Sequence, residues 1–497
     1  MKDQTTQPTN DKTNDSPNTE GESTGESTPR RVSILDALYD AIKQEDLATV
    51  KSIFETGVDV DTVHGSTPLH WAAVYSSNAD ILKYLVSQVV SVNVRDESGS
   101  TPLHLAAKNS NVDVLRFLVL QGTNINIIDN TGATPLHQGA KYNPNVEVLK
   151  HIISCGARVD AVDRIGATPL HYAAKSNPNL YVIKFLVSQG SNVNAPDSYG
   201  WTPLHWAIRW NPKTEIVQYL VSQGADVNAV NLYGETPLHW AMQTGRIEIL
   251  QCLTTQGITI TPDNDGWTPL HWGVLFNAGI DLLKFHVAQG ADINATDKNG
   301  STILHLAATR WDIHIDILQY ILSQGIFVDV KNNYGFTPLH FAVKNDLYVE
   351  VLEYLVAQGA DINAVNDDGQ TPLHLAVKRD LCAEVLEFLV VHGAEINAVD
   401  NEGWTPFSLA VKNRLDFQDF DFLLSQGADI NASNNYGETP LTIAKKYHFD
   451  QIADWLSDNG ATENKKINNS KQGIFGIIAL SISVVILIVS VVLFVCR

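Results

Sequence analysis

Cysteine is scarce in this chain: Cys155, Cys252, Cys382 and Cys496 are the whole complement in 497 residues. They lie far apart with no CxxC spacing, which excludes a disulfide framework and a thiolate zinc site and suits a reducing compartment. Positive charge is also in deficit, with 34 basic against 55 acidic residues and a formal net charge of -21. That balance argues against a phosphate-binding surface, because nucleic-acid affinity rests on clustered Lys and Arg, and no nucleic-acid partner is expected. No G-x-S-x-G, no P-loop and no H-E-x-x-H is present, so the sequence offers no nucleophile, nucleotide or zinc-hydrolase signature. The first residues contain no apolar core of the kind a secretory signal needs. Residues 1–33 carry almost no apolar side chains and cannot offset chain entropy, so a disordered tail is expected there.

What the chain does have is a period. Thr-Pro-Leu-His occurs nine times, first at Thr67 and last at Thr371, with degraded copies at Thr302, Thr405 and Thr439. The twelve threonines follow one another at intervals of 32 to 35 residues, mostly 34. A fixed period of that length means stacked structural repeats. A Gly stands two residues before each Thr, placed for the positive φ of a tight turn. The Thr is expected to cap a helix, with Pro (in most copies) at its first position. A polar turn, often Asn-Pro-Asn, leads to a second apolar helix such as Ile216, Val217, Leu220 and Val221, stopped by Gly224. Ile34 to Phe54 reads as a first pair of short amphipathic helices without the signature, as a terminal cap would. The repeat from Thr439 to Gly460, with Lys445, Lys446, Asp450 and Asp454, reads as the other cap.

The unit G-x-T-P-L-H-x-A, a second helix and G-A-D-V-N-A (224 to 229) resembles the ankyrin repeat family. The resemblance covers residues 34–461, about 13 repeats including caps. It implies an all-α ankyrin-repeat solenoid, helix pairs with projecting β-hairpin loops, that binds proteins through its concave face and hairpin tips. Three departures stand out. Most copies carry one extra residue at the turn between helices. The repeat at Thr236 looks one residue short in the following hairpin. Val89 takes the place of a helix-stopping Gly, so a distorted corner is expected there.

Ten histidines fall in the motif: His70, His104, His137, His171, His205, His239, His271, His305, His340 and His374. A shared metal site fails on geometry, because equivalent positions in stacked helices sit about 10 Å apart and zinc needs each nitrogen at about 2.0–2.1 Å. Each ring is expected instead to bond backbone or hydroxyl groups near the helix start and tie repeats together. No catalytic residue, metal, cofactor or small-molecule substrate is expected, and no segment outside the repeats is long enough to house a catalytic domain.

The position before the repeated Thr, which the resemblance places on the partner side, holds Trp201, Trp267, Phe336 and Trp404. Tyr199, Tyr233 and Tyr334 flank hairpin tips. Arg209, Trp210, Phe276, Arg310 and Trp311 lie at the ends of first helices. Trp, Tyr and Arg dominate protein-binding hot spots, so a partner-binding patch centred on residues 199–336 is expected, with its rings exposed. Trp206, Trp240 and Trp272, after the motif His, are expected to pack inside.

A polar linker, 462–473, leads to the uncharged apolar run 474–496, long enough to cross a bilayer as a helix. Lys465, Lys466 and Lys471 precede it and only Arg497 follows, so the repeats are expected on the cytosolic side of a single-pass, tail-anchored protein. The function expected from these features is a membrane-anchored scaffold that binds partner proteins. The alternative is a host-directed effector or an adaptor recruiting an enzyme to a membrane.

Overall fold

In the computed structural model, which describes residues 28–57, 66–77, 79–88, 91–309, 315–344, 349–378 and 383–463, every repeated Thr is followed by a helix. The chain divides into two compact units, 1–164 and 165–497. The first holds helices Thr28–Lys43 and Leu47–Glu55, then three pairs ending with Pro135–Tyr142 and Val146–Ser154. Among its described residues the second holds nine pairs, from Pro169–Ser176 and Leu180–Ser188 to Pro440–Lys446 and Asp450–Asp458. The first helix begins at Thr28, ahead of the Ile34 expected. Apolar spacing is silent about a polar first turn, and Thr28-Pro-Arg-Arg supplies one.

The helix starts follow from the motif. Each motif His turns its ring back, and its Nδ1 accepts the Thr amide at 3.0–3.2 Å in all ten repeats. The Thr hydroxyl lies 2.8–3.1 Å from the same nitrogen. The reverse half of this reciprocal cap, His amide to Thr hydroxyl, is longer at 3.4 Å in the repeats of Thr337 and Thr371. The imidazole therefore does most of the capping, and the hydroxyl less than expected.

The same rings join one repeat to the next. The Nε2–H of His70 donates to the carbonyl of Ser100 at 3.0 Å, and that of His104 to Ala133 at 3.0 Å. In the second unit His171 reaches Trp201, His239 Trp267, His340 Gln370 and His374 Trp404, each at 3.0 Å. A carbonyl can only accept, so Nε2 carries the proton and the ring is neutral. Burial pushes the imidazoles of His70, His104, His239, His340 and His374 below their ordinary range, to about 4 at His340.

The extra residue between helices has a structural use. Asn143 and Asn211 are buried there, and their amide groups donate across to Ala107 and Ala174 carbonyls at 2.9 and 2.8 Å. The repeat at Thr236 lacks that residue and closes with Gly245 in the left-handed region. Arg246 takes over, donating to the carbonyls of Asn211, at 2.7 Å, and Ile208.

The loops between repeats contain no strand among the described residues, so the projecting β-hairpins are corrected to bare turns. Side-chain oxygens close them instead of strand pairing. Asp197 Oδ1 accepts the amides of Tyr199 and Trp201, both at 2.9 Å, and the Asp197 amide donates to the Trp201 carbonyl at 2.8 Å. Gly200 turns the tip at φ 81°, and a Cβ there would stand 2.9 Å from Asn231 Cα in the next loop. Asn194 and Asn228 stitch the bases of successive loops through the carbonyls of Gly224 and Gly257, at 3.0 and 3.2 Å.

Second helices face the interior with the spacing expected. Ile216, Val217 and Leu220 are fully buried, each stabilising by about 1.5–3 kcal/mol. Val89, and with it the distorted corner expected there, lies outside the described residues. Among the described residues no helix is long and apolar enough to cross a membrane; the run 474–496 lies outside them.

Candidate functional site

The aromatic residues expected on the partner side converge most closely around Trp201. The loop 197–201 supplies Tyr199 and Trp201, and the helix Pro203–Trp210 supplies Trp206, Arg209 and Trp210. Together with Ile165, Lys175 and Tyr233 they line an open groove of about 460 Å³. Trp206 is fixed by its indole N–H, which donates to Asp197 Oδ2 at 3.0 Å. Trp210 stacks on Trp201 at 5.4 Å and meets Trp206 edge-on at 5.3 Å.

Trp201 is not an exposed anchor. It is only 8 % exposed, because Trp240 of the following repeat packs on it with ring centroids 4.7 Å apart. Trp240 continues to Trp272 at 5.0 Å and Trp272 to Phe276 at 5.6 Å, so one chain of rings crosses three repeats. The exposed members are Tyr199 (47 %), Tyr233 (54 %), Trp210 and Phe276. Trp206, Trp240 and Trp272 are buried.

Two cations lie on these rings. The Arg209 guanidinium is 4.1 Å from the Trp240 centroid, 4.9 Å from Trp210 and 5.1 Å from Trp201. Lys175 Nζ is 4.3 Å from Trp210 and 5.1 Å from Trp206. Cation–π contacts of this kind hold a charge against an apolar wall. Burial lowers the Arg209 pKa, and the charge of Glu235 opposes that shift. Glu235 is itself pushed up by burial, against a 2.7 Å bond from Asn231 Nδ2 that favours its ionised form. The tie between repeats is interrupted here. His205 Nε2 has no hydrogen-bond partner, although the Glu235 carbonyl is near enough to favour its protonated form. Burial takes this ring to about 4.

The remaining expected positions are dispersed. Trp267 is half-buried and stacks near its own repeat's His271 at 6.5 Å. Phe336 is half-buried against His340 and Phe341 at 5.6 and 6.0 Å. Tyr334 is exposed by itself. Trp404 is 5 % exposed, which corrects the expected exposure. Its indole N–H donates to Glu402 at 3.0 Å and Lys412 Nζ sits 4.2 Å from its ring centre. Arg310 and Trp311 lie outside the described residues.

Lys175 and Glu235 join the site without having been expected. Lys175 had a signal: it stands seven residues after its Thr, as do Arg209, Lys344, Lys378 and Lys412 in theirs. Glu235 occupies the position of Trp201 and Trp267, one repeat on, and only the fold puts it beside Arg209. The motif histidines are committed to capping and, His205 excepted, to contacts with the next repeat, and among the described residues no group of three His, Cys, Asp or Glu is arranged to hold a metal.

The family model described as ankyrin repeats, three copies, matches this chain in overlapping blocks that run from residue 38 to 469. Palmitoyltransferase AKR1 of Lachancea kluyveri is 41% identical over 81 residues, 15% of this chain and 11% of that protein. Protein phosphatase 1 regulatory subunit 27 of Mus musculus is 41% identical over 78 residues, 15% of this chain and 50% of that protein. An ankyrin repeat protein of Fowlpox virus is 36% identical over 76 residues, 14% of this chain and 22% of that protein. The chain thus spans half or less of the length of each of these relatives. With most of its length matched by that model and its motif residues shaping the helix pairs, the chain belongs to the ankyrin repeat family.

Proposed function

We propose that this chain is a scaffold that binds partner proteins through the first helices and loop tips of residues 165–276, held at a membrane by residues 474–496. The observation that carries the binding half is the groove beside Trp201. Exposed Tyr199, Tyr233 and Trp210 surround a packed floor of indoles, an arrangement of aromatic and Arg side chains typical of binding hot spots. The floor is already packed, so little of its side-chain freedom is left to lose when a partner docks. The membrane half rests on composition: 23 uncharged residues suffice for a helical span. With Lys465, Lys466 and Lys471 before that run, the repeats lie on the cytosolic side.

A second reading is an adaptor that brings an enzyme to the membrane. It is favoured by one relative whose name makes it a regulatory subunit of a phosphatase. Both readings take the chain as non-catalytic.

Proximity labelling from the full chain tests the proposal, beside Tyr199→Ala with Tyr233→Ala and beside a version ending at Ser470. Loss of a subset of neighbours in the double variant, with an unchanged melt, supports the groove. A changed set of membrane neighbours in the shortened version supports the anchor. Identical neighbours in all three would sink both, and a stably labelled enzyme lost from the double variant selects the adaptor.

A further inference from the structure

We propose that the groove takes an acidic peptide segment: a Glu or Asp carboxylate on the Arg209 guanidinium, with an adjacent aromatic or branched apolar side chain against Trp210 and Tyr199. This rests on the protein-binding reading above and names the chemistry of the partner.

The charges of the wall point that way. Arg209 and Lys175 are its cations and Asp197 is its carboxylate. Asp197 is already spent, with Oδ1 taking two backbone amides and Oδ2 taking the Trp206 indole. The Arg209 guanidinium lies 4.1 Å from the Trp240 ring centre, and it donates no hydrogen bond among the described residues. Glu235 acts on Arg209 through its charge, while Asn231 Nδ2 donates to its carboxylate at 2.7 Å and the Trp240 indole also favours its ionised form. A half-buried planar fork with unused donors matches a carboxylate, which can take two of them at once.

Other occupants fit less well. A basic side chain would seek the indole faces, and Arg209 and Lys175 already lie over those of Trp210. A purely apolar segment would cover Arg209 and leave its donors without water or acceptor, a net loss. The formal charge of -21 repels an acidic partner at long range. At physiological salt that repulsion is screened beyond about 8 Å, so the cations in the groove decide the outcome at contact.

The test uses the full-length chain in a mild detergent and an array of nine-residue peptides with a central Glu flanked by Phe or Leu. Matched arrays carry Gln, Lys or phosphoserine at the centre. The expected result is a Kd for Glu peptides about tenfold below that of Gln peptides, a difference typical of one charge-assisted pair. Arg209→Gln should bring that ratio close to one, and Arg209→Lys should keep part of it. The wild-type Glu-to-Gln comparison stands even if a variant melts early. Equal binding of Glu and Gln, a preference for Lys, retention of phosphoserine peptides alone, an Arg209→Gln chain that keeps the ratio, or no peptide retained would each overturn the inference. If Glu and Gln bind alike while Tyr199→Ala with Tyr233→Ala still loses labelled neighbours, the scaffold reading stands and only the acidic chemistry falls.

Discussion

Trp201 and Trp240, one repeat apart, pack with ring centroids 4.7 Å apart and share the Arg209 guanidinium. Trp201 therefore belongs to the floor of the groove, and its loss should be felt in the fold. Trp201→Ala is expected to cost about 3–5 kcal/mol, the range for a buried large-to-small change. Urea unfolding followed by helical circular dichroism checks this. A midpoint equal to that of the wild type would mean the ring is not packed as described.

Acid should loosen the stack before carboxylates titrate. His205, His286 and His340 are held at about 4 by burial, against 6.5 when exposed. Below pH 6.5 the unfolded chain takes up protons that the folded chain refuses, so stability is full above that pH and falls as pH drops toward 4. Each of the three should forfeit about 2 kcal/mol by pH 5. The melting temperature is expected to be flat from pH 7 to 8 and to fall steeply between 6.5 and 5; a level profile across that window would contradict the neutral-ring assignment.

His286 is fully buried with neither ring nitrogen bonded, in helix Ile280–Ala288. The corresponding positions of other second helices hold buried Leu186, Leu220, Leu253, Ile321, Leu355 and Leu389. His286→Leu removes two unsatisfied polar atoms and should stabilise by about 1–3 kcal/mol. It should also shrink the acid-induced loss. Calorimetry at pH 7 and pH 5 measures both, and a destabilised variant would show that the ring has a partner after all.

Two glycines with nearly the same φ should respond differently to alanine. Gly200 faces the Asn231 backbone at 2.9 Å, whereas Gly224 has nothing within 4 Å of a built Cβ. Gly224→Ala pays only for the left-handed conformation, about 1–2 kcal/mol. Gly200→Ala adds a backbone collision and must displace the neighbouring loop. Equal melting temperatures for the two variants would refute the close approach.

The repeat and its helix starts were legible because they depend on neighbours in sequence. Thr202, Pro203 and His205 form one local cap, and any copy reveals it. The inter-repeat tie of the His ring also followed, since burying an imidazole N–H is costly without an acceptor and the next loop offers carbonyls; His205, whose Nε2 has none, is the exception. The burial of Trp201 was not legible, because it is imposed by Trp240 more than a full repeat later. Arg246 doing the work of Asn211 was equally hidden: two unlike side chains reach the same kind of carbonyl from different turns. Hairpin strands were expected by resemblance, whereas Asp197 and its equivalents supply enough acceptors to close the loops as turns.

The link between repeats ends on a main-chain carbonyl, at Ser100, Ala133, Trp201, Trp267, Gln370 and Trp404 alike. Any amino acid can offer that oxygen, so the joint places no demand on the side chain that carries it. The mortar is thus indifferent to the tile. An array joined this way can exchange the residue that carries the oxygen and keep the bond, even where, as at Trp201, the side chain itself is packed.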